Sequence, residues 1–310
     1  MKARLVMGAA ALVCSAGAWA QSSVTVFGFV NQAIGKDSGS SDKDVMDTYG
    51  SRLGFKGEED LGGGLKASFY MEHRFDPDTG AVNNPAVFWK GGSWVGLGGD
   101  FGKVTVGRWW TQAFLKSQYA SDPFGMGTVD VNYGTVGCGP NICSVGAFWL
   151  SNSVSYEYSA NGFAFGAQVA EGSAGSDRPM NFGVSYGAGP LYVGFGHEAN
   201  SGGDDSKWSH GTVNYDFGVA KLYTGFGTGR TSGNVKVRNV VVGFTAPVGS
   251  GTVIGAYNQF KEASVTARSQ FSVGYQHALS KRTKLYTTIS NDSKVATSKT
   301  GYDLGILHAF

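Results

Sequence analysis

The sequence predicts an all-β fold: a transmembrane antiparallel β-barrel of 16 strands with one long loop folded into its lumen. Three observations lead there. Apolar and polar residues alternate with period two along most of the chain, which gives strands with one apolar and one polar face. The connections between these segments alternate between short and long, as on the two rims of a membrane barrel. Beyond the first twenty residues no run of 18 apolar residues exists, so no helical span is available.

At the N-terminus, Lys2 and Arg4 precede an apolar stretch over residues 5–13, and Ala18-Trp19-Ala20 offers small residues at the positions a signal peptidase reads. Residues 1–20 are therefore expected to be a cleaved signal peptide and residues 21–310 the barrel. The apolar stretch is too short for a spanning anchor, which needs ~20 residues. The residues before Cys14 make a poor lipoprotein signal. Removing Lys2 and Arg4 leaves 23 basic residues (25 less 2) against 23 acidic ones. That balance gives no sign of a nucleic-acid partner. Glycine is abundant, with 49 residues, more than twice the usual ~7%. The seven prolines all fall in expected loops or turns, as a strand-rich chain requires. Cys138 and Cys143 close a small loop and lack the Cys-x-x-Cys spacing of a redox pair, which favours a structural disulfide.

The alternation is clear in several places. Leu65, Ala67, Phe69 and Met71 interleave with Lys66, Ser68, Tyr70 and Glu72, and Val240, Val242 and Phe244 form one face of a later segment. Short connections are expected at 58–64, 98–103, 159–162, 187–190, 216–218, 247–251 and 280–283. Long ones are expected at 36–48, 76–90, 111–150, 171–179, 198–207, 228–235, 261–268 and 291–300. Seven short and eight long connections join sixteen strands. A soluble sandwich would show the same alternation with its apolar face inside. The C-terminus favours lipid: Tyr302, Leu304, Ile306, His308 and Phe310 share one parity and end on an aromatic. In a bilayer such a sheet must close, because an open edge has no water to bond.

Several segments resemble Gram-negative general porins, in the order that family has them. Tyr49-Gly-Ser-Arg-Leu-Gly-Phe-Lys-Gly-Glu-Glu-Asp-Leu-Gly-Gly-Gly-Leu-Lys66 resembles their second strand, turn and third strand. Ser93-Trp-Val-Gly-Leu97 and Phe101-Gly-Lys-Val-Thr-Val-Gly-Arg108 resemble the fourth and fifth. Asp122-Pro-Phe-Gly125 resembles part of the loop that enters the pore. Ala278-Leu-Ser-Lys-Arg-Thr283 and Leu307-His-Ala-Phe310 resemble the β-proteobacterial branch. The resemblance implies a sixteen-stranded outer-membrane barrel, usually a homotrimer, passively permeable to small hydrophilic solutes and ions. It also implies that Phe310 marks the chain for the outer-membrane assembly machinery. Leu307 departs from the branch, which often has an inward basic residue there. A substrate-selective channel and a plugged surface barrel or adhesin are the competing readings.

A channel of this kind performs no covalent chemistry; rings of charge set which ions pass. Parity puts Arg52, Lys56, Lys66, Glu72 and Arg74 on the lumen wall as constriction candidates. Among them the bases outnumber the acids, which leans towards anions. In the loop at 111–150, Asp122 and Asp130 are the acidic candidates to face Arg52, with Cys138 and Cys143 stiffening the return leg. Arg108 shares parity with Val104 and Val106, so it faces outward, where a charge against lipid costs roughly 2–4 kcal/mol. A subunit interface, with a neighbour's Asp76 or Asp78, would relieve that cost; a bulge turning it inward is the alternative. The five histidines sit in no nucleophile motif, so catalysis is not expected. His73 and His308 are placed on the outer face near the two rims. No cofactor or metal is expected: Asp204-Asp205 falls short of the six or more oxygens a Ca²⁺ site needs, and fits solvent or lipopolysaccharide-bound cations.

Overall fold

The computed structural model describes residues 23–129, 145–172 and 177–310. Sixteen long strands follow in chain order: β1 (Ser23–Lys36), β2 (Arg52–Gly62), β3 (Leu65–Asp76), β4 (Gly92–Gly99), β5 (Gly102–Trp110), β6 (Trp149–Ala160), β7 (Phe163–Ala170), β8 (Met180–Ala188), β9 (Leu191–Ala199), β10 (Lys207–Asp216), β11 (Lys221–Arg230), β12 (Lys236–Val248), β13 (Gly251–Glu262), β14 (Val265–Ala278), β15 (Thr283–Asp292) and β16 (Thr300–Ala309). Each pairs antiparallel with the next. β1 closes the ring. Its first half pairs with β2, from Ser23↔Glu58 to Phe29↔Arg52, and its second half with β16, from Phe29↔Ala309 to Lys36↔Tyr302. The ring therefore has no open edge, the condition for a sheet in lipid. Two short strands, Asp44–Met46 and Ala81–Val82, lie in the long loops and pair with β1 and β3.

The faces are inside-out relative to a soluble protein, which excludes the sandwich. Along β16, Asp303 is 1% exposed while its neighbour Leu304 is 64% exposed. Buried residues are largely polar and line the lumen: Asn31, Gln168, Asn258 and Gln270 among them. Val95, Val106, Phe226 and Ile289 stand outward in a lipid-facing band. No helix among the described residues is long and apolar enough to cross a membrane.

Tight turns occupy one rim. Asn161-Gly162, both at positive φ, joins β6 to β7, the two-residue hairpin chemistry that matches strand twist. One expected long loop is not long. At 261–268, β13 and β14 continue past the barrel and meet in a two-residue turn at Ala263 and Ser264, φ 46° and 73°. A bulge beside Phe260 and Lys261 sets the new register. Alternation had broken down there because a bulge shifts parity by one residue, which reads in the sequence as loop.

Candidate functional site

The site begins with a turn off the wall. β5 ends at Trp110, and the chain enters the lumen through a π-helical turn (Phe114–Gln118) and a 3-10 turn (Tyr119–Ser121). Thr111, Gln112, Phe114 and Ser117 are completely buried. Glycines make the room. A β-carbon on Gly194 would lie 1.9 Å from the Lys116 carbonyl oxygen. One on Gly183 would lie 2.2 Å from the Gln112 carbonyl oxygen, and one on Gly196 2.6 Å from Ala113 Cα. Further along, Gly225 faces Ser121, Gly243 faces Pro123 and Gly274 faces Phe124. A track of inward glycines across the wall forms the bed of the loop. Part of the glycine excess thus reflects close approach of the loop to the wall.

Polar wall residues hold the loop on that bed. Glu198, fully buried on β9, accepts from Thr111 Oγ1 (3.2 Å) and from the Ala147 N–H (2.9 Å), joining the outgoing and returning legs. Asn181 accepts from the Gln112 N–H at 2.7 Å. The Tyr192 hydroxyl donates to the Lys116 carbonyl at 2.9 Å, and Asn214 Nδ2 to the Ala120 carbonyl at 2.6 Å. On the far wall Asp303 accepts from the Val129 N–H at 2.8 Å. The loop therefore crosses the lumen. Phe124 packs with Ile254 and Ala256, and Val145 on the return leg packs with Trp208, Val237 and Phe260.

Opposite this bed, β2 and β3 bring three charges together. Arg74 Nε donates to Glu72 Oε1 at 3.0 Å, and Arg52 Nη1 lies 3.8 Å from the same oxygen. Tyr70 donates its hydroxyl to Glu72 Oε2 at 2.5 Å. Arg52 also donates Nε to the Gly50 carbonyl and Nη2 to that of Tyr49, and lies 4.4 Å from the centre of the Phe29 ring. The Arg74 guanidinium lies over Trp110 and Trp149, at 5.6 and 5.2 Å. Two arginines share one carboxylate, so the cluster keeps one positive charge.

Other cations line the lumen on either side. Lys56 lies over Phe27 (5.4 Å) and Lys103 over Trp94 (4.0 Å). Lys66 pairs with Glu58 at 2.6 Å, and Lys116 on the loop with Glu157 at 3.6 Å. Lys284 sits over Tyr49 at 4.3 Å and Lys221 over Tyr223 at 5.0 Å. Lys221 and Lys284 form no ion pair with a carboxylate among the described residues, and Lys103 lies in the field of Glu157 and Glu58 without a contact ion pair. Lys284 is the cross-strand neighbour of Leu307, so β15 supplies a lumen base beside the position where β16 lacks one.

Asp122 is buried, and its carboxylate accepts from the N–H groups of Phe124 (2.9 Å) and Met126 (2.6 Å) within its own loop. Burial pushes its carboxyl up to about 6, against the lowering effect of those N–H groups. Its charge thus serves the loop turn instead of pointing at Arg52. Asp130, Cys138 and Cys143 lie outside the described residues, as does the segment expected to be a signal peptide. Arg108 stays on the outer face opposite Ser93. It donates Nε to the Lys90 carbonyl (3.1 Å) and Nη1 to Ser151 Oγ (2.8 Å). The bulge falls on β6 beside it, where Asn152 has φ 52°. The Phe310 N–H donates to the Gly28 carbonyl at 3.1 Å, and its ring covers the outer side of Gly28. His73 stacks on Phe88 (4.1 Å), and His308 Nδ1 meets Thr283 Oγ1 at 2.9 Å. No group of three or more histidines, cysteines or acids that could hold a metal occurs among the described residues.

Sequence reasoning missed Lys103, Lys116, Lys221, Lys284, Glu198 and the glycine bed. Parity could have found two of these lysines, since Lys103 alternates with Val104 and Lys284 shares a face with Tyr286. The repeated inward glycines of Val193-Gly-Phe-Gly196 were also visible as a pattern. Lys116 and Glu198 gave no local signal, because their roles depend on the path of the loop.

A closed sixteen-stranded barrel with a loop folded across a charged lumen invites comparison with known proteins. A profile described as Gram-negative porin matches residues 8–297. The chain belongs to the Gram-negative porin family. Outer membrane porin protein 32 of Delftia acidovorans is 33% identical over 350 residues, covering 97% of this chain and 98% of that protein. The solved anion-selective porin from Comamonas acidovorans is 26% identical, with a TM-score of 0.72 over 94% of this chain and 100% of its own. OmpT of Vibrio cholerae in its trimer form shares the fold at 14% identity and a TM-score of 0.71, over 93% of this chain and 99% of its own. The porin is thus a channel of the bacterial outer membrane, and the plugged barrel is not favoured.

Proposed function

We propose that this porin is a passive diffusion channel for small hydrophilic solutes that prefers anions at its constriction. The observation that carries the reading is the Arg52–Glu72–Arg74 cluster, in which one carboxylate serves two guanidinium groups. Lys221 and Lys284, without a carboxylate ion pair among the described residues, extend the positive field along the lumen, and lumen charge of one sign selects its counter-ion. The likeness to an anion-selective porin at 26% identity agrees with it. The infolded loop narrows the lumen, and wall side chains bond its described outgoing and returning legs. The test is the reversal potential of purified porin in a planar bilayer under a KCl gradient. A potential set by chloride is expected; one set by potassium would reverse the assignment.

We also propose a homotrimer in which Arg108 lies at the subunit contact. Among the described residues this outward guanidinium bonds a carbonyl and a hydroxyl and lies over the Trp149 ring at 5.6 Å, with no carboxylate ion pair, and Phe88, two residues before Lys90, is 54% exposed. Arg108→Ala is expected to lower the temperature at which trimers dissociate on unheated gels by several degrees. An unchanged dissociation temperature would remove Arg108 from the contact.

A further inference from the structure

Between the arginine cluster and the loop lies a cavity of about 360 Å³, within the range of small-molecule sites. Its border is unusual for a path meant only for hydrated ions. Arg52 and Arg74 stand among Tyr70, Trp109, Trp110 and Phe114. Tyr70 and Trp109 meet at 5.0 Å, edge to face; Trp110 and Phe114 stack at 5.2 Å and 11°. The loop delivers Phe114, so this box exists only while the loop lies on its glycine bed. The polar groups are not saturated. Among the described residues Arg52 Nη1 has only the 3.8 Å ion pair to Glu72, and Arg74 Nη2 is buried without a hydrogen-bond partner. Glu72 is the one carboxylate on the cavity border among the described residues.

We propose that this cavity is a transit site for aromatic monocarboxylates of the benzoate class. The proposal rests on the anion reading above and narrows it to one chemical class. The residual charge is a single positive one, which one carboxylate neutralises; a dicarboxylate would bring one charge too many. Arg52 Nη1 offers a carboxylate a charge-assisted hydrogen bond, and rings placed edge-on and face-on around it take a flat π-system better than an aliphatic one. Chloride and acetate satisfy the charge and leave the ring faces in water. A neutral aromatic amide satisfies the rings and leaves the guanidinium donors unused. Binding need only be weak, since a channel site must release what it admits.

The test uses full-length purified porin in planar bilayers, with chloride current read against added benzoate, cyclohexanecarboxylate, acetate and benzamide. Benzoate is expected to reduce the current saturably, at about a tenth of the concentration that cyclohexanecarboxylate needs, with acetate and benzamide weaker still. Trp109→Ala should erase the advantage of benzoate over cyclohexanecarboxylate, and Trp109→Phe should keep most of it. The comparison of ligands on the unaltered protein stands even if a variant fails to fold. Equal block by benzoate and cyclohexanecarboxylate, or block by benzamide equal to benzoate, would overturn the proposal. The KCl reversal potential separates the two failures. A chloride potential with no benzoate advantage sinks the aromatic site alone, whereas a potassium potential sinks the anion reading beneath it.

Discussion

Gly194→Val should open the channel. The glycine lies under the loop, and a β-carbon there would stand 1.9 Å from the Lys116 carbonyl oxygen, closer than non-bonded atoms tolerate. Backbone must move, and the loop is the part free to do so, because β9 is pinned on both sides by ladders to β8 and β10. Lifting Lys116 breaks the Tyr192 bond to its carbonyl and the ion pair from its ammonium to Glu157. Conductance is expected to rise by at least half, with noisier open levels, while the barrel keeps its heat-modifiable migration on gels. Gly211→Ala is the control: Gly211 pairs with Phe195 on the outward side and has open space beside it, with nothing nearer than 3.9 Å, so conductance should not change. Unaltered conductance in Gly194→Val would mean that the loop does not set the width of the pore.

Arg52→Glu should weaken or invert ion preference. The cluster then passes from one net positive charge to one net negative charge. Two units of charge acting on an ion about 7 Å away, at an effective dielectric of about 40 and with salt at ~0.1 M, change its energy by roughly 1 kcal/mol. Chloride is disfavoured and potassium favoured by that amount each, so the chloride-to-potassium permeability ratio should fall by about thirtyfold, read from reversal potentials, and the effect should shrink as salt rises. Arg52→Gln, which removes one charge instead of reversing it, should give about half the change in reversal potential. Arg52 is the better target of the two arginines because its side chain is 22% exposed, against 10% for Arg74; an acid at Arg74 would be buried beside Glu72 and would perturb folding. A ratio that does not move would show that the selective charges lie elsewhere, with Lys103, Lys221 and Lys284 the next to replace.

Period two alone decided much about this protein. Each strand's lipid face follows from its own sequence, because a strand side chain points in or out by parity and lipid accepts only one kind. Arg52, Glu72 and Arg74 were placed on one wall in this way, and the sixteen strands followed from the rhythm of turns. What sequence could not decide involves the conformation of a turn or residues far apart in the chain. Asp122 reads as a free pore acid, yet it bonds its own loop's N–H groups, since a turn conformation is not written in alternation. Glu198 falls in the connection expected at 198–207, yet it stands on β9 and ties Thr111 to Ala147. Gly194, Gly196 and Gly225 read as weak points in strands, and only the path of the loop shows them to be its seat. The physical reason is range. Parity is fixed within two residues by backbone geometry, whereas the position of a forty-residue loop is fixed by the wall it touches, and that wall exists only after the ring has closed.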